Sequence, residues 1–143
     1  MGNALTTTQS QDLHRIAGIM IPADTEYGVP AASDPVIFAD IMASIDPDFH
    51  EMAAALDRLA AMAGGSFADL DDELAEAVAH RFLDEAPAVF GRAVLQCYYR
   101  DGRVLLAVGH EARPPFPKGY TVEQGDWSLL DAVRDRPQLW RDA

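Results

Sequence analysis

The chain has 143 residues, with 11 Lys and Arg against 23 Asp and Glu, so its formal net charge is −12. Hydrophobic residues make up 49% of it, which is enough to bury a core, and the length predicts one domain spanning 1–143. The acidity excludes nucleic acids and anionic membrane surfaces as partners, because affinity for phosphates depends on Lys and Arg.

The first part of the chain is predicted to be helical, because apolar residues recur at spacings of three and four. Residues 1–9 are predicted to form a frayed polar terminus. Ser10 is predicted to cap a first helix that Pro22 ends, and a loop follows over 23–33. The inward face of this helix is expected to consist of Leu13, Ile16, Ala17 and Met20.

Two Asp-Pro pairs predict the next two helix starts, since Asp is a good N-cap and Pro suits the first helical position. They are Asp34-Pro35 and Asp46-Pro47. The second of these helices is expected to end at Gly64-Gly65. Its buried face is predicted to comprise Phe49, Met52, Ala53, Leu56, Leu59, Ala60 and Ala63.

Two further helices are predicted before residue 100. Asp69 is expected to cap the first, whose acidic first turn suits the positive end of the helix dipole. Its inward residues are predicted to be Leu74, Val78 and Phe82. Pro87 opens a mostly apolar, and therefore central, helix from Ala88 to about Tyr99. Residues 104–108 could form a hairpin strand or a short helix ending at Gly109, and we favour the helix.

The C-terminal part differs from the rest in composition. Residues 96–143 carry seven basic and seven acidic groups, and half of the twelve aromatic residues. Prolines at 114, 115 and 117 oppose regular structure up to about residue 125, after which Asp126 is expected to cap a last short helix, 127–135. The prediction is an all-α fold: a small bundle of about six helices over 10–109, and an irregular Pro/aromatic tail with a short terminal helix over 110–143.

Motifs for catalysis or cofactor binding are missing from the sequence. The four histidines form no HExxH or HxH pair, and the chain has no glycine-rich phosphate loop and no G-x-S-x-G element. A single cysteine, Cys97, excludes a disulfide framework and a cysteine-rich metal centre. Cys97 and His110 could act as nucleophile and base, but the apolar helix around Cys97 favours a buried, inert thiol. We therefore predict no catalytic, cofactor-binding or metal-binding residue.

Several elements resemble the gluconate 2-dehydrogenase subunit 3 family. They are residues 98–104 (YYRDGRV), 108–109 (VG) and 113–120 (RPPFPKGY), together with 19–24 (IMIPAD), which is similar to an early IIPAD element of that family. The resemblance extends over roughly 13–120. Many relatives begin with a twin-arginine signal, which this sequence lacks.

The resemblance implies a helical subunit without a cofactor of its own. Its partner would be a large flavoprotein of the glucose-methanol-choline oxidoreductase type, which uses FAD to oxidise a sugar or alcohol hydroxyl and passes electrons to a cytochrome c or an iron–sulfur acceptor. We expect this chain to be non-catalytic, to bind and stabilise that subunit, and not to insert into a membrane. A cytoplasmic location is expected from this sequence, or a periplasmic one if the signal is on the partner or is missing from the sequence as given.

The tail is the predicted partner-binding segment, because aromatic and Arg side chains dominate interface energetics and prolines reduce the entropy lost on ordering. The predicted contact residues are Arg113, Phe116, Lys118, Tyr120, Trp127 and Trp140. The tail could instead pack on its own bundle, in which case the interface is expected on the side of the 23–33 loop. Two other functions stay open: a free-standing acidic helical protein-binding module, and a self-contained enzyme that uses Cys97.

Overall fold

The computed structural model describes residues 4–114, 116–121 and 124–137. Within these residues the chain forms seven α-helices and no β-strand, which confirms the predicted all-α fold. The chain divides into two compact units, Met1–Arg113 and Pro114–Ala143. The division falls close to the predicted start of the tail.

The first unit contains six of the helices and the hydrophobic core. These helices are α1 (Thr7–Met20), α2 (Pro35–Ser44), α3 (Phe49–Ala63), α4 (Asp72–Glu85), α5 (Ala88–Arg100) and α6 (Gly102–Ala107). Helix α3 packs against α1, α4 and α5, and α5 also packs against α2. Three phenylalanines are among the largest fully buried side chains, and the rings of Phe82 and Phe90 meet edge to face at 5.3 Å. The prediction that α5 packs in the core is confirmed by its buried Phe90, Val94 and Cys97.

Helix α1 begins earlier than predicted. Its N-cap is Thr6, which forms a reciprocal capping box with Gln9, so the predicted cap Ser10 lies inside the helix. Leu5 also packs against the core. The prediction of a frayed terminus over 1–9 is therefore wrong for residues 5–9, which are part of the folded unit.

Two other predicted helix starts are corrected. Asp46-Pro47 begins a short 3₁₀ helix, Asp46–Asp48, and α3 proper begins at Phe49. Asp69 ends another 3₁₀ helix, Phe67–Asp69, while Asp71 is the residue whose side chain caps α4. With the cap two residues later, Ala75, Val78, Ala79 and Phe82 form the buried face of α4. Leu74, predicted to face inward, is instead 53% exposed.

Other local predictions are confirmed. Asp34 accepts a hydrogen bond from the backbone N–H of Val36 and Pro35 is the first helical residue of α2. Gly64 ends α3 in the left-handed conformation, with φ of +72°. Residues 102–107 form a helix, as we favoured, and not a strand. On α3 the structure adds Ala55 to the buried residues, while Phe49, Ala53, Ala60 and Ala63 are partly buried.

The second unit has little regular structure. A 3₁₀ helix, Trp127–Leu130, leads into α7, Asp131–Arg134. Asp126 caps the 3₁₀ helix, as predicted, by accepting a hydrogen bond from the N–H of Ser128. The Phe116–Pro117 peptide bond is cis. Across the part of the chain that the structure describes, no helix combines the length and apolarity needed to cross a membrane.

Candidate functional site

Three aromatic side chains among the predicted contact residues of the tail are exposed. Phe116 is 85% exposed and Trp127 is 67% exposed, while Tyr120 is about half exposed. Lys118 is also exposed, and Arg113 forms an ion pair with Glu111 in the first unit. The sixth residue, Trp140, lies outside the described residues. The role of this segment in binding a partner stays a prediction.

A second surface lies on the first unit and includes part of the 23–33 loop, the side on which the sequence predicts the interface if the tail packs on its own bundle. It is a groove of about 240 Å³ that we call the tyrosine groove. Its main lining residues are Ile21, Pro22, Tyr27, Tyr98, Tyr99 and Val108. It therefore joins part of the IMIPAD element to the two tyrosines of the YYRDGRV element.

One side of the tyrosine groove is a tight turn in the loop after α1. The carboxylate of Asp24 accepts from the N–H groups of Glu26 and Tyr27, at 2.8 and 3.1 Å. The backbones of Asp24 and Val29 exchange two hydrogen bonds, and Gly28 between them has a φ of +66° that favours glycine. Tyr27 in this closed turn is 69% exposed.

The other side of the groove is the end of α5. The hydroxyl of Tyr98 donates to the carbonyl oxygen of Pro30 at 3.1 Å, which ties α5 to a loop 68 residues away in sequence. Burial raises the pKa of the Tyr98 phenol, so it remains a donor. The ring of Tyr99 meets that of Tyr98 edge to face but is 52% exposed. The two adjacent tyrosines thus differ in role: Tyr98 holds the loop and Tyr99 lines the surface.

Another groove of the first unit, about 940 Å³ in volume, lies where α1 faces α2 and the start of α4, and we call it the α1–α4 groove. Its lining includes His14, Gly18, Ile19, Phe38, Asp69 and Glu76. The floor is apolar, and the His14 ring lies edge to face on Phe38 at 4.8 Å. Acidic side chains form one rim.

Two charged residues of α1 hold that acidic rim in place. The guanidinium of Arg15 donates to the carbonyl oxygens of Ala68 and Leu70, at 2.7 and 2.5 Å, and pairs with Asp72 at 3.1 Å. Asp12, which is buried, accepts from the hydroxyl of Ser66 at 3.0 Å and the N–H of Ala68 at 2.8 Å. The segment between α3 and α4 is therefore fixed to α1 by side-chain hydrogen bonds.

Cys97 lies in the core, as predicted from the sequence. Its sulfur is 3.6 Å from the hydroxyl of Ser44 and 3.6 Å from a guanidinium nitrogen of Arg100, which pairs with Asp40. Burial raises the pKa of the Cys97 thiol, which keeps it protonated at neutral pH. The described residues contain no group of three or more His, Cys, Asp or Glu side chains that could hold a metal ion.

Comparison with known proteins adds no relative to these observations. No protein-family model, no curated protein and no solved structure matches the chain. Function is therefore inferred from the residues and the surfaces described above.

Proposed function

We propose that this chain is a non-catalytic small subunit that binds and stabilises a large flavoprotein of the glucose-methanol-choline type. The partner would hold the FAD and would oxidise a hydroxyl group of a sugar or an alcohol. Electrons would leave through the partner to a cytochrome c or an iron–sulfur acceptor. This chain would supply surface and no reacting group.

The observation that carries the proposal is the composition of the tyrosine groove. Part of its lining comes from the IMIPAD element and part from the YYRDGRV element, which are two of the elements that resemble the gluconate 2-dehydrogenase subunit 3 family. Both elements thus contribute to one surface, with Tyr27 and Tyr99 open to solvent. Tyrosines that are largely exposed and adjacent to apolar residues are typical of protein interfaces.

The distribution of exposed apolar side chains supports the same proposal. Among the described residues, thirteen large hydrophobic side chains are exposed, and nine of them lie between Tyr99 and Val133. Scattered exposed apolar residues are normal on a protein surface, whereas a concentration of aromatic ones marks contact sites. A partner bound over the C-terminal third would therefore remove the largest number of exposed apolar side chains from water.

The proposal is tested by capture of the full chain, tagged, from an extract of its native cells. We expect a flavin-containing protein to be retained at one to one, with the yellow flavin absorption and with dye-linked dehydrogenase activity towards sugars or alcohols. The chain purified alone should be colourless. Bound flavin or turnover in the chain alone would favour the self-contained enzyme, and a captured partner without flavin would favour the free-standing binding module.

Variants then locate the contact surface. Tyr99→Ala in the tyrosine groove and Trp127→Ala in the tail should each weaken binding of the captured flavoprotein by about 2 kcal/mol, roughly thirtyfold. Leu74→Ala serves as control, since Leu74 is an exposed apolar residue outside both segments. Equal binding of all three variants would place the interface elsewhere.

A further inference from the structure

We infer that the α1–α4 groove docks a basic segment of the flavoprotein subunit, one in which an arginine or lysine lies beside an aliphatic side chain. The inference rests on the proposed function and adds a second contact surface to it. The groove has an apolar floor and an acidic rim, and these two properties define what it can accept.

The floor is formed by apolar surface that the core leaves partly open. Ile19 and Phe38 pack against the core cluster, yet both are only partly buried, and both line the groove. Gly18 lets α1 approach the loop before α2, because a Cβ placed there would lie 2.7 Å from the hydroxyl oxygen of Ser33. An aliphatic side chain of a partner would cover this floor and remove its apolar surface from water.

The rim has a net negative charge that the chain itself does not neutralise. Asp72 is paired with Arg15, whose remaining hydrogen bonds go to backbone carbonyls. In the described part of the chain, Asp69 has no cationic partner, and Glu76 has only His80 at 3.9 Å. A guanidinium or ammonium group seated between Asp69 and Glu76 would supply the missing charge.

The rim is also held in position before any partner binds. Arg15 and Asp12 fix residues 66–72 against α1 through hydrogen bonds to backbone and side-chain groups. A surface that is already ordered loses little entropy on binding, so its contacts contribute more of their energy to affinity. The charge of the whole chain, −12, favours a basic partner surface in the same way.

The test measures binding of the captured flavoprotein to two double variants of the full chain. One variant reverses the charge of two acidic residues inside the groove, and the other reverses the charge of two acidic residues outside it. The groove variant is Asp69→Lys with Glu76→Lys. The control variant is Glu51→Lys with Asp84→Lys, which makes the same change in net charge at exposed acids outside the groove lining. We expect the groove variant to bind at least thirtyfold more weakly at low salt, and the control variant to bind within threefold of the wild type.

A milder variant keeps the test valid if the charge reversal affects folding. Asp69→Asn with Glu76→Gln should weaken binding about tenfold, while circular dichroism and the melting temperature stay those of the wild type. If the groove and control variants weaken binding of the flavoprotein equally, the loss of affinity comes from the net charge of the chain and not from the groove, and the inference is wrong. Full binding by the groove variants would also overturn it and leave the proposed function standing, whereas a wild-type chain that retains no flavoprotein would overturn both.

Discussion

Cys97 illustrates how one polar contact alters the cost of a substitution. The residue lies on α5 where this helix packs against α2, and its sulfur is within 3.6 Å of the Ser44 hydroxyl. A hydroxyl buried at this position needs a hydrogen-bond partner to avoid the full cost of burying a polar group. The structure provides one in Ser44, which also accepts a hydrogen bond from Arg100 at 2.7 Å.

We expect Cys97→Ser to lower the free energy of unfolding by about 1 kcal/mol, at the low end of the cost of burying a hydroxyl, because Ser44 offers it a hydrogen bond. Urea denaturation measures this loss. The double variant Cys97→Ser with Ser44→Ala removes the partner, and its loss should approach about 2 kcal/mol. Loss of partner-dependent activity at an unchanged melting temperature would contradict a purely structural role for Cys97.

At the scale of elements, α1 organises the connection between α3 and α4. This connection, residues 64–71, contains only one short 3₁₀ helix, so its conformation depends on contacts with other elements. Asp12 and Arg15, one turn of α1 apart, satisfy its backbone and hydroxyl groups. The same contacts place Phe67 in the core, where it is fully buried.

Asp12→Ala should therefore destabilise the protein by about 2 kcal/mol, because the N–H of Ala68 and the hydroxyl of Ser66 lose their acceptor in a partly buried place. Chemical denaturation measures the change. Asp57→Ala is the matched control: it removes the same charge and an exposed hydrogen bond from Gln9, and should cost less than about 0.5 kcal/mol. Equal losses in the two variants would contradict the anchoring role of Asp12.

At the scale of the first unit, Arg103 links two helix starts that are distant in sequence. Its guanidinium pairs with Asp34, the N-cap of α2, at 2.7 Å, and with Asp101, the N-cap of α6, at 2.9 Å. These hydrogen bonds lower the pKa of both carboxyl groups below the ordinary value for aspartate. Carboxylates with a lowered pKa stabilise the fold above their unfolded pKa and lose this contribution as the pH falls.

The free energy of unfolding of the wild type should accordingly fall as the pH drops below about 4. At this pH the two carboxylates bind protons in the unfolded chain but stay ionised in the folded chain. In Arg103→Gln the two carboxyl groups titrate closer to their ordinary pKa. The variant should be less stable than the wild type at neutral pH, and the difference should shrink in acid. Thermal unfolding from pH 7 to pH 3 measures both curves, and parallel curves would contradict the linkage.

Local sequence was sufficient to predict the all-α class and those helix ends that depend on neighbouring residues. Asp34-Pro35, Gly64 and Asp126 act within one turn of chain, so their effect can be predicted without knowing the fold. The burial of Cys97 was also predictable, because the apolar residues around it occur in one helix.

Long-range packing decides which of several suitable residues caps a helix and which distant segments of the chain come into contact. Asp69 and Asp71 are both residue types that cap helices well, and in the structure Asp71 caps α4 while Asp12 and Arg15 hold residues 66–72 against α1. With Asp71 as the cap, Ala75 is buried and Leu74 is exposed. The tyrosine groove depends on a hydrogen bond between Tyr98 and Pro30, 68 residues apart. Such contacts leave no periodic pattern in the sequence, so only the folded chain brings these surfaces together.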